Sequence, residues 1–125
     1  MGDRANFGFR QTDESVIYLY GHWAGYGMMA RLADAIIAAN PRWHDESYAT
    51  RIAISTMIGE EWSQEYSWGI STRIGDNEHS IPVVDWSKQT VTLYPHDWGI
   101  GVDFYNPKFT MTFQQFLDKF AKVLV

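Results

Sequence analysis

With 125 residues, 46% of them hydrophobic and 16% aromatic, the chain has the size of one domain and ample material for a packed interior, which excludes a disordered chain and leaves nothing to build a second core. No Cys is present, so disulfides, thiolate nucleophiles and Cys-based zinc or iron–sulfur sites are excluded. The formal net charge of −5 opposes long nucleic acids, whose phosphates demand a basic field, but leaves room for a local basic pocket that takes a small anion.

Ala5 to Arg10 alternates, with Phe7 and Phe9 on one side and Asn6, Gly8 and Arg10 on the other, which predicts a strand followed by a polar turn at Gln11-Thr12-Asp13-Glu14. Ser15 to Tyr20 carries Val16, Tyr18 and Tyr20 on one face and Ile17 and Leu19 on the other, so a second strand, covered on both sides, closes a hairpin. Met29, Leu32, Ala33, Ile36 and Ile37 then recur at helical spacing. That helix should stop at Asn40, because Pro41 cannot continue the ladder.

Tyr48 to Ile58 fits both periods, since Ile52, Ile54, Thr56 and Ile58 alternate while Ala49, Ile52, Ala53 and Met57 recur at helical spacing. A helix is predicted: Asp45 or Ser47 can cap its start by accepting a backbone N–H, and Gly59 supplies a stop. From Ser67 the pattern becomes short and alternating, which predicts three antiparallel strands: Trp68 to Ile74, Ile81 to Trp86 and Thr90 to Tyr94. Asp97 to Gly101 is a glycine-rich loop, and Val102 to Tyr105 an edge strand ending at Asn106-Pro107.

The last helix is marked by a capping box, Thr112 with Gln115, and by a staple of Met111 on Phe116. Its apolar stripe is Phe113, Phe116, Leu117, Phe120, Ala121 and Leu124, with Asp118 and Lys122 paired on the wet side. The order ββααβββ(β)α predicts a single α+β domain over 1–125, a two-layer sandwich of an antiparallel sheet of about five to six strands with three helices. The start has no apolar leader and no later run suits a membrane span, which with the absence of Cys points to the cytoplasm.

All six Arg precede residue 74 and all four Lys follow residue 87, which directs the search for an anion site to the first part, since Arg grips anions in a bidentate fork. His22-Trp23 leaves the second strand where the chain turns toward a helix, and strand ends are good places for sites; the structural alternative is that Trp23 caps the core and His22 bonds a carbonyl. Arg42, Trp43, Tyr48 and Arg51 surround the start of the second helix, whose free N–H groups attract anions. The alternative is that Asp45 caps the helix and pairs with Arg42 or Arg51 while Trp43 packs.

Metal and catalytic chemistry have less support. Gly75-Asp76-Asn77-Glu78-His79 lacks the ligand ladder of a calcium loop and is better taken as a turn. The four His (His22, His44, His79, His96) show no metal-binding spacing. No nucleophile elbow or phosphate-binding glycine loop occurs, and neither a metal nor a cofactor is expected.

Four blocks of the sequence, Met1-Gly2-Asp3-Arg4-Ala5-Asn6, Leu19 to Gly25 with its His22-Trp23-Ala24-Gly25 step, Arg42 to Asp45 with Tyr48 and Arg51, and Val83 to Trp86 through Leu93, resemble a group of small uncharacterised proteins of actinobacteria and their phages. The resemblance implies a small cytoplasmic, phage-associated protein and brings no established function. In that context Arg4, His22, Trp23, Arg42, Trp43, Tyr48 and Arg51 are expected to converge on one pocket for a small anionic or nucleotide-like ligand, such as a host defence signal that is sequestered. The competing expectation is a protein-interaction module whose surplus Trp and Tyr on strand edges bind a host protein or a second copy. A third is a hydrolase or transferase with His22 or His79 as general base beside an Arg-held phosphate.

Overall fold

The structure is a computed structural model that describes residues 2–97 and 99–122. The elements run β1 (Ala5–Arg10), β2 (Val16–Gly21), α1 (Met28–Ala38), α2 (Glu46–Ile58), β3 (Trp68–Ser71), β4 (Ile81–Asp85), β5 (Thr90–Tyr94), β6 (His96–Asp97), β7 (Gly101–Val102), β8 (Phe109–Thr112) and α3 (Phe113–Phe120). Short 3₁₀ segments at Asn40–Arg42 and Gly59–Ser63 carry the chain from α1 toward α2 and from α2 toward β3. The fold is α+β, with a six-stranded sheet in the order β3-β2-β1-β4-β5-β8 and a two-stranded ribbon of β6 and β7.

The sheet is mixed, not wholly antiparallel. β1 and β4 run parallel, Gly8 opposite Val83 and Arg10 opposite Asp85, and every other pair is antiparallel. The expected run of three consecutive strands is therefore split. β3 ends at Ser71 and pairs with β2, while β4 lies beyond β1. The cause is the intervening segment 72–80, which crosses the sheet face instead of turning tightly and is pinned there by Asn6 and Arg4.

Odd positions of β1 (Ala5, Phe7, Phe9) are fully buried against the helices, together with Leu19, Val84, Trp86 and Val91. Helix α1 contributes Leu32, Ala33, Ala35 and Ile36, α2 Ala49, Ala53, Ile54 and Met57, and α3 Phe113, Phe116 and Leu117. Each large side chain taken out of water on this face stabilises the fold by about 1.5–3 kcal/mol. Aromatic rings link the layers: Trp86 stacks on Phe9 at 6.2 Å and meets the edge of Phe113 at 5.7 Å, and Phe113 meets Trp43 at 4.8 Å.

Asp45 is the N-cap of α2, as expected, but its carboxylate accepts no backbone N–H of the helix; the Ser47 hydroxyl donates to it instead. Gly59 ends α2 with φ +61°, a conformation that disfavours any side chain. Thr112 and Gln115 form the capping box of α3 with both hydrogen bonds present. The edge strand expected at Val102 to Tyr105 is replaced by the short β6–β7 ribbon, and the sheet edge is β8. Because α3 stops at Phe120, Lys122 does not pair with Asp118. Its backbone N–H reaches Asp34 Oδ1, and Asp118 accepts from Gln114. Leu124 and Trp98, named in the stripe and in the loop, lie outside the described residues.

Candidate functional site

The seven residues singled out from the sequence fall in separate places. Arg4, His22 and Trp23 lie where β1 begins and β2 ends, since Ala5 pairs with Gly21. Arg42, Trp43 and Tyr48 lie near the other end of β1, where Trp43 and Glu46 line a hollow with Arg10 and Thr12, and the Thr12 N–H donates to Glu46. The six residues of β1 separate the two groups by about 17 Å.

At the first end Arg4 is a structural clamp. Its backbone N–H and its Nε–H both donate to Glu78 Oε1, at 2.8 and 3.0 Å, and Asp76 lies 3.6 Å from its guanidinium. These bonds, the backbone one first, hold the Glu78 carboxyl below the usual carboxylate range. His22 Nδ1 shares a hydrogen bond with Tyr20 Oη at 2.9 Å and its ring meets Trp23 at 4.6 Å, while Trp23 itself stays 57% exposed. His79 Nε2 bonds Asp3 Oδ1 at 2.5 Å, so the segment expected to be a turn is a loop fastened by Asp3 and Arg4, the residues just before β1.

At the other end the helix start is already occupied by acids. Asp45 stands at the N-cap position of α2 and Glu46 in its first turn, and both oppose a second anion. Arg42 is 3.8 Å from Asp45 and lies over the Tyr48 ring at 4.4 Å. Trp43 donates its indole N–H to Ile36 C=O at 2.8 Å and packs on Phe113. Arg51, one turn after Tyr48 on α2, borders an apolar groove of about 280 Å³ that includes Ile17, Ile54, Trp62 and Ile70.

A different concavity lies on the sheet face that carries no helix. It holds about 410 Å³, within the size of small-molecule sites. Strand register arranges its walls in rows. Arg10 sits opposite Asp85, and Asp85 opposite Thr90; the next row is Val83, Thr92 and Thr110; Tyr94 closes the far end. Four residue steps along β5 carry the chain from Thr90 to Tyr94, a span of about 14 Å. Lys88 and Glu14 complete the charged end.

The two cations there differ in how they are held. Arg10, 26% exposed, is 3.6 Å from Glu14, whose own side chain is 83% exposed; such a surface pair contributes little and exchanges readily. Lys88 has no side-chain partner among the described residues. Asp85 is engaged by its own turn, accepting from Ser87 Oγ and from the Lys88 N–H. Thr92 and Thr110 share a hydroxyl hydrogen bond at 3.0 Å. Sequence reasoning misses this row although its signal is present: Thr90, Thr92 and Tyr94 alternate with buried Val91 and Leu93, so a polar face has to lie opposite the core.

No family model, curated protein or solved structure matches the chain. Among the described residues no three metal-capable side chains come together, and no helix is long and apolar enough to cross a membrane.

Proposed function

We propose that this protein binds a small anionic, hydroxyl-bearing ligand of nucleotide-like chemistry on the helix-free face of its sheet, and that it holds the ligand without transforming it. The supporting observation is the groove of about 410 Å³ that has Arg10 and Lys88 at one end, threonine hydroxyls along its floor and Tyr94 at the other end. An anionic group displaces Glu14 from Arg10 and takes Lys88 as a second cation, forming charge-assisted hydrogen bonds stronger than the exposed pair it replaces. Sugar hydroxyls meet Thr90, Thr92 and Thr110, and a ring lies against Tyr94. The resemblance to actinobacterial and phage proteins gives this reading a setting: capture of a host signalling nucleotide in the host cytoplasm.

The test is a panel of nucleotides and cyclic dinucleotides, recording melting temperature and the mass of the recovered ligand. A raised melting temperature with unchanged ligand supports capture, and an altered ligand points to an enzyme. Arg10→Gln and Lys88→Gln should each reduce the shift, whereas Arg42→Gln, at the helix start, should keep it in full. A shift lost in Arg42→Gln and kept in the other two would move the site back to the start of α2.

A further inference from the structure

We infer that the groove between α2 and the β2–β3 corner of the sheet is a second binding site, which takes a small apolar monocarboxylate with Arg51 as its anion anchor. The hollow has its cause in the strand register. β3 ends at Ser71, opposite Tyr18, whereas β2 extends to Ile17 and Val16. Beside Ile17 the sheet therefore lacks a strand, and α2 faces that place with Ser47, Thr50, Arg51 and Ile54, one stripe at i, i+3, i+4 and i+7. What remains is a groove of about 280 Å³, just under the range of sites for drug-sized molecules and so suited to a smaller one.

The lining decides what the body of the ligand is. Ile70 and Trp62 flank the groove, each 50% exposed, with Ile17 and Ile54 behind them. Its polar groups are engaged within the protein. Gln11 Nε2 donates to Phe9 C=O at 3.1 Å and to Thr50 Oγ1 at 3.3 Å, Thr50 Oγ1 also accepts from Trp86 Nε1, and Ser47 Oγ donates to Asp45. A sugar or a peptide backbone placed there loses water without gaining partners, whereas a hydrocarbon chain or ring covers apolar surface that is otherwise wet.

Charge decides the head group. Among the described residues that line the groove, Arg51 alone is charged, and its side chain has no hydrogen bond or ion pair among the described residues. No acid stands three or four residues from it along α2, where Ser47, Tyr48, Ile54 and Ser55 lie. Glu46 and Glu61, at the two ends of the helix, are taken by the Thr12 N–H and the Trp68 indole N–H. A carboxylate matches the fork of a guanidinium in shape and cancels its single charge. A doubly charged phosphate would keep one charge uncompensated on a protein whose net charge is already −5.

Octanoate and neutral 1-octanol, titrated into the full chain and followed by chemical shifts of the Trp62 indole and the Ile70 methyls, test this. Octanoate should bind with a Kd of about 50–500 µM, and 1-octanol roughly threefold to tenfold more weakly. Arg51→Gln should remove that preference, weakening octanoate and leaving 1-octanol unchanged. Ile70→Gln, at a half-exposed position, should weaken both ligands by roughly threefold to tenfold, with a melting temperature within about 2 °C of the native protein. Lys88→Gln, across the sheet, should leave octanoate binding unchanged, which separates this site from the anion groove of the open face. No saturation by about 5 mM octanoate overturns the inference. So does an octanoate affinity that Arg51→Gln leaves intact, or one that Lys88→Gln lowers in its place.

Discussion

The buried carboxamide of Asn6 holds Gly75 from both sides: its Oδ1 accepts the Gly75 N–H at 3.0 Å and its Nδ2 reaches the Gly75 C=O at 3.4 Å. The same Nδ2 contacts Asp76 C=O and Asn77 Oδ1, each at 3.2 Å. Asn6 is 0% exposed, so these bonds replace water that cannot reach it. Asn6→Ala strands the Gly75 N–H and opens a gap in the sheet face, and should lower stability by about 2–4 kcal/mol. Asn6→Asp keeps the acceptor but faces carbonyl oxygens without a donor, and should be at least as damaging. Urea unfolding of both variants measures this, and a loss below about 1 kcal/mol would show that the loop is not fastened by Asn6.

Gly75 is required by the same arrangement. A Cβ there would stand 2.8 Å from the Tyr20 ring, a side chain held on the sheet. Gly75→Ala should destabilise by about 1–3 kcal/mol through overpacking, and Gly75→Ala combined with Tyr20→Ala should cost less than the sum of the two, as a double-mutant cycle in urea would report.

On the other side of the sheet, Thr50 Oγ1 accepts from Trp86 Nε1 at 3.0 Å and from Gln11 Nε2 at 3.3 Å. Thr50→Val keeps the shape but leaves a buried indole N–H without an acceptor. Stability should fall by about 1–3 kcal/mol, and the fluorescence of the native state should shift as Trp86 loses its hydrogen bond. Thr50→Ser, which retains the oxygen, should recover most of the loss.

These contacts show what a linear pattern can carry. The hairpin, all three helices, the capping box and the inward stripe of α3 depend on spacings within a few residues, so they are legible in the sequence. The parallel pairing of β1 with β4 is not, because it depends on Asn6 and Arg4 meeting residues 69 to 74 positions later. Nor is the edge strand Phe109–Thr112, whose residues double as the capping signal of α3. For the site, the Arg and Trp residues near His22 and Arg42 stand out by type, yet type alone cannot distinguish a ligand contact from Trp43 bonded to Ile36 or Arg4 bonded to Glu78. The groove on the open face is written in the alternation of Thr90, Thr92 and Tyr94, but its volume depends on strand order.

The Arg4–Glu78 clamp predicts an acid response. Glu78 accepts two hydrogen bonds from Arg4 and its pKa is lowered, so the unfolded chain binds more protons at this position than the folded one just below the normal carboxylate pKa. The clamp's contribution is therefore complete above the unfolded pKa and is lost as pH falls through the folded one, over a window beginning near about pH 5. Asp13 and Asp103 are also lowered, by Ser15 and by Asn106 respectively, and add a background slope in the same direction. Melting temperature measured from neutral pH downward should fall more steeply for the native protein than for Glu78→Gln, and the two curves should converge at the acid end. Parallel curves would mean that Glu78 has the same proton affinity folded and unfolded.

Lys88 gives the most direct test of how the groove is used. Its ammonium lies at the charged end without a protein partner among the described residues, so Lys88→Gln should leave the melting temperature within about 1 °C, the small effect expected of a surface substitution. For a bound anionic ligand the same change removes one of two cations, and affinity should fall by roughly tenfold, the scale of one charge-assisted contact. Thr92→Val takes away a hydroxyl from the middle row and breaks its bond to Thr110, which should weaken a hydroxyl-bearing ligand more than inorganic phosphate. Titration calorimetry at two salt concentrations separates these effects: the Lys88 contribution should shrink at high salt and the Thr92 contribution should persist. An affinity that is indifferent to Lys88 and to salt would place any anion elsewhere on the molecule.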